Sequence, residues 1–246
     1  MKRNIKILIQ YDGTSFSGWQ RQNNATTIQQ TIEEKLSQFM REEIIIVGSG
    51  RTDAGVHALE QVAHFKTNSH FDVETILYKA NALLPKTIRV MECKEVAHDF
   101  HARFSATKRE YKYVIYNDLV CPPFKRDFAT HIKKTLDVNK LNDSLQLLVG
   151  EHDFTSFCSA SDESESKIRT IFDIELIQDE KEIIIYLRAN AFLRKMIRMI
   201  MGTVLEINLK NRPIEEISQL FESKSRDGSY TTAPAEGLFL SRVWYP

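Results

Sequence analysis

A single carboxylate, Asp53, stands inside the stretch G48-S-G-R-T-D-A-G-V-H-A58, with glycines at 48, 50 and 55, Arg51 two residues before it and His57 four after. Glycines this close together permit backbone conformations closed to other residues and let a second molecule approach the main chain. A carboxylate so placed can serve as nucleophile or as base. It must then stay ionised in a partly dry site, where burial raises its pKa and only a nearby cation or hydrogen bonds offset the rise. Arg51 is one such cation. A second source is the apolar stretch A191-F-L-R-K-M-I-R-M-I-M-G202, in which Arg194 and Arg198, four apart, are expected on one flank of a helix. An arginine on an apolar helix is costly to bury unless paired, and the plainer expectation is that it reaches out to solvent. For the glycine loop the plainer reading is a tight turn whose Asp bonds its own backbone.

The segment H101-A-R-F-S-A-T-K-R-E-Y-K-Y113 alternates basic and aromatic residues. Aromatic rings can stack on unpaired bases while flanking Lys and Arg meet phosphates. Tyr111 and Tyr113, two apart on a strand, share one face, which core packing explains equally well. Residues 101–134 hold eight Lys/Arg against three acids, and residues 188–212 hold six against Glu206 alone. Such local gatherings are the footprint of phosphate contacts, although solvated faces produce similar counts. His98-x-x-His101 has no third or fourth partner at a metal-ligand spacing, so no metal is expected. G48-S-G50 lacks a following Lys-Ser/Thr and is no phosphate loop. No G-x-S-x-G makes Ser49 a nucleophile.

The elements that must position these residues follow from periodicity. Ile5–Tyr11 reads as a strand, and Thr27-x-x-Gln30 caps a helix carrying Ile28, Ile32, Leu36 and Met40. Ile44–Val47 reads as a buried strand that anchors the glycine loop, and 61–67 as its partner. Asp72 caps a helix that Pro85 ends, and 87–96 is a strand. In the second half the strands are 110–117, 168–177, 182–189 and 239–244, with helices at 138–149 and 193–207 and a further one after Pro213. The acidic, serine-rich 159–166 reads as a mobile surface loop. The expected fold class is α+β, with two ferredoxin-like (RRM-like) β-α-β-β-α-β units whose antiparallel sheets join around a central cleft. The expected domains are 1–105, carrying the Asp53 loop, and 106–246, carrying Tyr111 and the Arg198 helix.

The chain of 246 residues is formally neutral, 42% hydrophobic and 27% charged, so an anionic partner must meet a local patch. Three scattered cysteines, 93, 121 and 158, suit reduced thiols and give no zinc framework. No stretch approaches the roughly 18 apolar residues of a membrane span, and the N-terminus runs straight into a strand pattern. A cytoplasmic protein without membrane contact is expected.

Six segments in order, Y11-D-G-T-S-F-S-G-W-Q-R-Q22, G50-R-T-D-A-G-V-H-A58, R103-F-S-A106 with K108-R-E-Y-K-Y113, E151-H-D-F-T-S-F157, F192-L-R-K-M-I-R198 and A233-P-A-E-G-L238, resemble the tRNA pseudouridine synthase A family. That resemblance implies conversion of uridine to pseudouridine at positions 38, 39 and 40 in the anticodon stem-loop of tRNA, by a homodimer with no cofactor. It implies that Asp53 is the essential aspartate, attacking C1′, acting at C6 of the base or promoting a glycal. Tyr111 then stacks on the target base, Arg51 holds the flipped nucleotide, and Arg198 pairs with the carboxylate. Ile197, Met199 and Glu60 depart from the family's usual residues and leave substrate breadth open. Two rivals are an RNA-binding protein of two RRM-like units, which lacks the aromatic-glycine signature of that module, and a carboxylate-dependent metal hydrolase, which lacks a second acid near Asp53.

Overall fold

The computed structural model describes residues 2–225 and 230–246. The chain divides into two compact units, one of Met1–Arg109 with Phe239–Pro246 and the other of Glu110–Leu238. The protein is a mixed α/β structure with mostly antiparallel strand pairing and five α-helices among the described residues.

In the first unit the order is β1 (Arg3–Tyr11), α1 (Ile28–Met40), β2 (Val47–Gly48), β3 (His57–Thr67), α2 (Val73–Leu83) and β4 (Ile88–Val96). β1 lies between β4 and β3, antiparallel to both, and β2 pairs antiparallel with β3. Alternation along β1 sends Ile5, Ile7 and Ile9 into the core, where each is at most 1% exposed. α1 starts where the Thr27 hydroxyl accepts from the Gln30 N–H, and its residues 28, 32, 36 and 40 bury one stripe. α2 is capped by Asp72, whose carboxylate accepts from Thr75 N–H at 2.7 Å.

The expected strand at Ile44–Val47 shortens to the two residues of β2. Ile44 and Ile46 are buried, but Ile45 is 63% exposed. Side chains of α1 take the place of a neighbouring strand. Ile44 N–H donates to the Ser37 hydroxyl at 2.8 Å, Ile46 N–H to the Glu33 carboxylate at 3.0 Å, and the Ile46 carbonyl accepts from Gln29. Those bonds pair three backbone groups of Ile44 and Ile46 without a ladder. The buried Glu33 also accepts from Gln29 and Arg21, both at 3.0 Å, which compensates its removal from water.

β5 (Lys108–Asn117), which belongs to the second unit from Glu110 on, is followed there by β6 (Thr130–Ile132), α3 (Val138–Gln146), β7 (Gly150–Asp153), a 3-10 turn at Thr155–Phe157, β8 (Ile168–Asp179), β9 (Glu182–Ala189), α4 (Met196–Leu209) and α5 (Glu216–Ser223). The strand order is β5-β9-β8-β7, with β6 parallel to β5. Periodicity did not reveal β6 and β7, because three or four residues are too few to show a period. α4 starts at Met196, so Arg194 lies outside the helix and does not share a helical flank with Arg198. Every residue of α4 except Arg198 and Leu209 is buried. A Cβ on Gly202 would lie 1.8 Å from the Thr231 carbonyl, so residues 231–233 run directly against this helix.

The last strand, β10 (Leu238–Trp244), pairs in parallel with β3, Phe239 opposite His57 and Leu240 opposite Ala58. That pairing places residues 239–246 with the first unit, whereas sequence order grouped them with the second.

Candidate active site

The loop from Gly48 to Val56 is held from below by β3 and from the side by the segment after β1. Ser49 N–H donates to the Val62 carbonyl at 2.7 Å, and the Ser49 hydroxyl donates to Gln61, whose amide donates to the Gly50 carbonyl at 2.9 Å. The buried Arg109 guanidinium donates to the Ser49 carbonyl from two nitrogens, at 3.3 and 3.2 Å. Arg109 is one of the eight basic residues of 101–134, yet it is 8% exposed and bonded to this backbone.

The D12–Q22 segment supplies the other wall. Trp19 N–H donates to the Thr52 carbonyl at 3.0 Å, and Gly55 N–H to the Phe16 carbonyl at 3.3 Å. The Tyr11 hydroxyl meets the Thr52 hydroxyl at 2.8 Å, and burial pushes the Tyr11 phenol well above the usual tyrosine pKa. Three glycines make the approach possible. A Cβ on Gly13 would lie 2.0 Å from the Val56 carbonyl, one on Gly18 2.7 Å from the Thr52 carbonyl, and one on Gly48 2.7 Å from the Trp19 ring. Gly18 also has φ +92°, in the left-handed region that glycine favours. The aromatic and glycine content of this segment, unusual for a connector, is explained by its role as a cradle.

His57 ties the two walls together. Its Nδ1 accepts the Gly13 N–H at 3.1 Å, its ring is 1% exposed, and it stacks on Phe239 at 4.7 Å between centroids. The same Nδ1 lies 3.3 Å from the Asp12 carboxylate, so the imidazole meets both the end of β1 and the turn after it. His57 is thus a structural brace for the loop. Within that frame Asp53 is half-buried, its carbonyl accepting the Val56 N–H at 3.2 Å in a turn completed by Gly55 at φ +77°. Arg51 is exposed two residues before it.

Tyr111 and Arg198 belong to the second unit. Tyr111 is 7% exposed on β5 and meets Phe192 edge to face, centroids 5.2 Å apart at 81°. Tyr113 is fully buried, its hydroxyl bonded to Thr130 and to the Pro234 carbonyl at 3.0 Å, with its phenol pKa raised by burial. Tyr113 is therefore a core residue. Arg198 is half-buried in the first turn of α4, its Nε donating to the Ala233 carbonyl at 2.8 Å.

The entry to α4 is fixed by a residue that sequence reading passed over as part of a mobile loop. Asp162 accepts from Lys167 Nζ at 2.6 Å, from Ser164 N–H at 3.0 Å and from Arg194 N–H at 2.7 Å. Burial acts to raise its pKa, but these donors outweigh it and hold the carboxyl well below the usual range. Lys195, at φ +62°, caps α4 without a side-chain hydrogen bond, so the Asp162 anchor one residue earlier helps set the helix entry. Among the described residues no group of three or more His, Cys, Asp or Glu could hold a metal ion, and no helix is long and apolar enough to cross a membrane.

A family model described as tRNA pseudouridine synthase matches residues 7–105 and 145–246, which include the Asp53 loop and α4. The chain belongs to the tRNA pseudouridine synthase family. It is 38% identical to the tRNA pseudouridine synthase A of Thermoanaerobacter sp. (strain X514) over 99% of this chain and 100% of that one. It is 42% identical to the tRNA pseudouridine synthase A of Caldicellulosiruptor saccharolyticus, with the same two shares. Among solved structures, an archaeal box H/ACA sRNP Nop10-Cbf5 complex matches with a TM-score of 0.37 and 13% identity, over 81% of this chain and 42% of that one, too weak a likeness to decide anything. Family membership makes the protein an isomerase whose reaction turns uridine in tRNA into pseudouridine.

Proposed function

We propose that this tRNA pseudouridine synthase acts at positions 38, 39 and 40 of the anticodon stem-loop, with Asp53 as its catalytic carboxylate and Tyr111, Arg51 and Arg198 binding the substrate. The reaction breaks the bond between C1′ and N1 of uracil, turns the base, and forms a bond between C1′ and C5. C5 then loses its proton and N1 gains one, so the conversion needs no redox partner. Reaching C1′ in a stem requires extruding the nucleotide, which costs a few kcal/mol of stacking and pairing. An arginine and an aromatic ring can replace what is lost.

The observation that carries this reading is the construction around Asp53. Backbone bonds from two directions and three close glycine approaches hold one half-buried acid in a loop that could otherwise move. Rigid support of that kind is what a reacting group requires. The order β4-β1-β3-β2 in the first unit supports a ferredoxin-like plan there, and we extend that plan to the second. A cytoplasmic homodimer, with tRNA lying across both subunits, completes the proposal; a formally neutral chain then binds RNA through limited basic areas.

The test is incubation of the purified protein with unmodified tRNA transcripts, without metal or cofactor, and mapping of pseudouridine by carbodiimide treatment and primer extension. Product at 38, 39 or 40 is expected. Product only elsewhere in the tRNA would overturn the site assignment while leaving the family activity intact.

A further inference from the structure

We propose that Phe104, with Arg103 beside it, is a stacking platform for an unpaired nucleobase of the tRNA other than the one that reacts. The proposal rests on the reading of the protein as a tRNA-modifying enzyme.

Phe104 is 76% exposed, yet its ring is held in place. It stacks on His101 with centroids 4.4 Å apart and planes at 29°. His101 is itself fixed, because its Nδ1 accepts the N–H groups of Arg103 and Phe104, both at 3.2 Å. The turn closes through Ser105 N–H to the His101 carbonyl at 2.9 Å and His101 N–H to the Ser105 hydroxyl at 3.0 Å. Behind His101 the rings continue inward, to His64 at 4.8 Å, from there to Phe100 at 6.0 Å, and on to Tyr245 at 5.1 Å. Tyr245 returns to the same turn, its hydroxyl donating to the Ala102 carbonyl at 2.7 Å, and the Arg103 carbonyl accepts from buried Arg109 at 2.6 Å. An exposed phenyl ring fixed through four others is costly to maintain for packing alone, since its own outer surface gains nothing from burial.

The chemistry around the ring selects the occupant. The Arg103 guanidinium carbon lies 5.6 Å from the Phe104 centroid. In the same unit Lys108 lies 4.1 Å and Arg242 5.1 Å from the Trp244 ring, and Thr107 N–H donates to the Trp244 carbonyl at 2.9 Å, joining that cation-bearing ring to the turn. Rings interleaved with cations suit a polyanion that also offers flat faces, which is what single-stranded RNA presents. A membrane or an apolar protein partner would be met by contiguous apolar surface rather than by guanidinium groups against each ring.

The experiment measures the affinity of the full-length protein for an unmodified tRNA transcript by filter binding, a readout independent of turnover. Phe104→Ala should raise the Kd about ten-fold and Phe104→Trp should restore it, because each base–aromatic stack is lost or regained as a unit. Arg103→Ala should also weaken binding and lessen its salt dependence. Tyr78→Ala, removing a 72% exposed ring on α2, should leave the Kd unchanged. Equal affinity of the Phe104→Ala and parent proteins would overturn the platform. So would weakened binding accompanied by a change in the molecular mass in solution, since the face would then join copies of the chain. Failure of the parent protein to form pseudouridine would instead strike at the reaction, with the binding comparison still readable.

Discussion

Arg198 and Ala233 hold each other by two hydrogen bonds, the Ala233 N–H donating to the Arg198 carbonyl at 2.9 Å and the Arg198 Nε–H donating to the Ala233 carbonyl at 2.8 Å. The Nε bond orients the guanidinium and the main-chain bond fixes the residue that carries it, and Gly202 lets residues 231–233 come close enough for both.

Arg198→Lys keeps the charge but has no Nε–H on a planar fork. Turnover should fall about ten- to a hundred-fold, while tRNA binding weakens less. Steady-state kinetics against thermal melting checks this, because a loss of activity matched by a collapse in Tm would point to the fold rather than to orientation.

Asp53→Asn should lower turnover by at least about a thousand-fold. The residue is half-buried and its loop is held by main-chain bonds, so the Tm should change little. Single-turnover assays and melting curves on the same preparation decide it, and retained activity in the variant would remove Asp53 from the chemistry.

Gly18→Ala places a Cβ 2.7 Å from the Thr52 carbonyl at a residue with φ +92°. The expected cost is about 1–3 kcal/mol, with activity falling further than stability because the carbonyl that must yield is next to Asp53. Denaturant unfolding and rate measurements give the two numbers. A neutral effect on both would mean that the cradle does not position the loop.

His64 is buried in β3, accepts the Ala102 N–H at 3.2 Å and lies against His101. Burial first, and then the electrostatic effect of the neighbouring His101, pull its pKa down to about 4. The unfolded chain, with an ordinary value of about 6.5, therefore binds the proton more readily than the fold does. His64 supports stability fully above about pH 6.5, and that support is lost as the pH falls from there through about 4. Tm recorded across this window should decline, and His64→Asn, which keeps an acceptor for Ala102, should decline less steeply.

Much of this protein was legible from residue order. Strands and helices with a clear period, β1, α1, α2, β9 and α4, stand close to where alternation and capping placed them, because each buries a face that its own sequence spells out. The family motifs were legible for a similar reason, since each is a run of neighbouring residues. Other features depended on partners distant in the chain. Ile44–Ile46 has a strand's composition, yet Gln29, Glu33 and Ser37 take its backbone bonds, and only folding brings α1 to it. Asp162 looked like one acid in a solvated loop until Arg194 and Lys167 were placed around it. Arg109 is one basic residue among eight in 101–134, and only the fold buries it against Ser49. Local periodicity reports which face of an element is apolar. Which backbone group meets which side chain across 13, 32 or 60 residues is decided only when the chain closes.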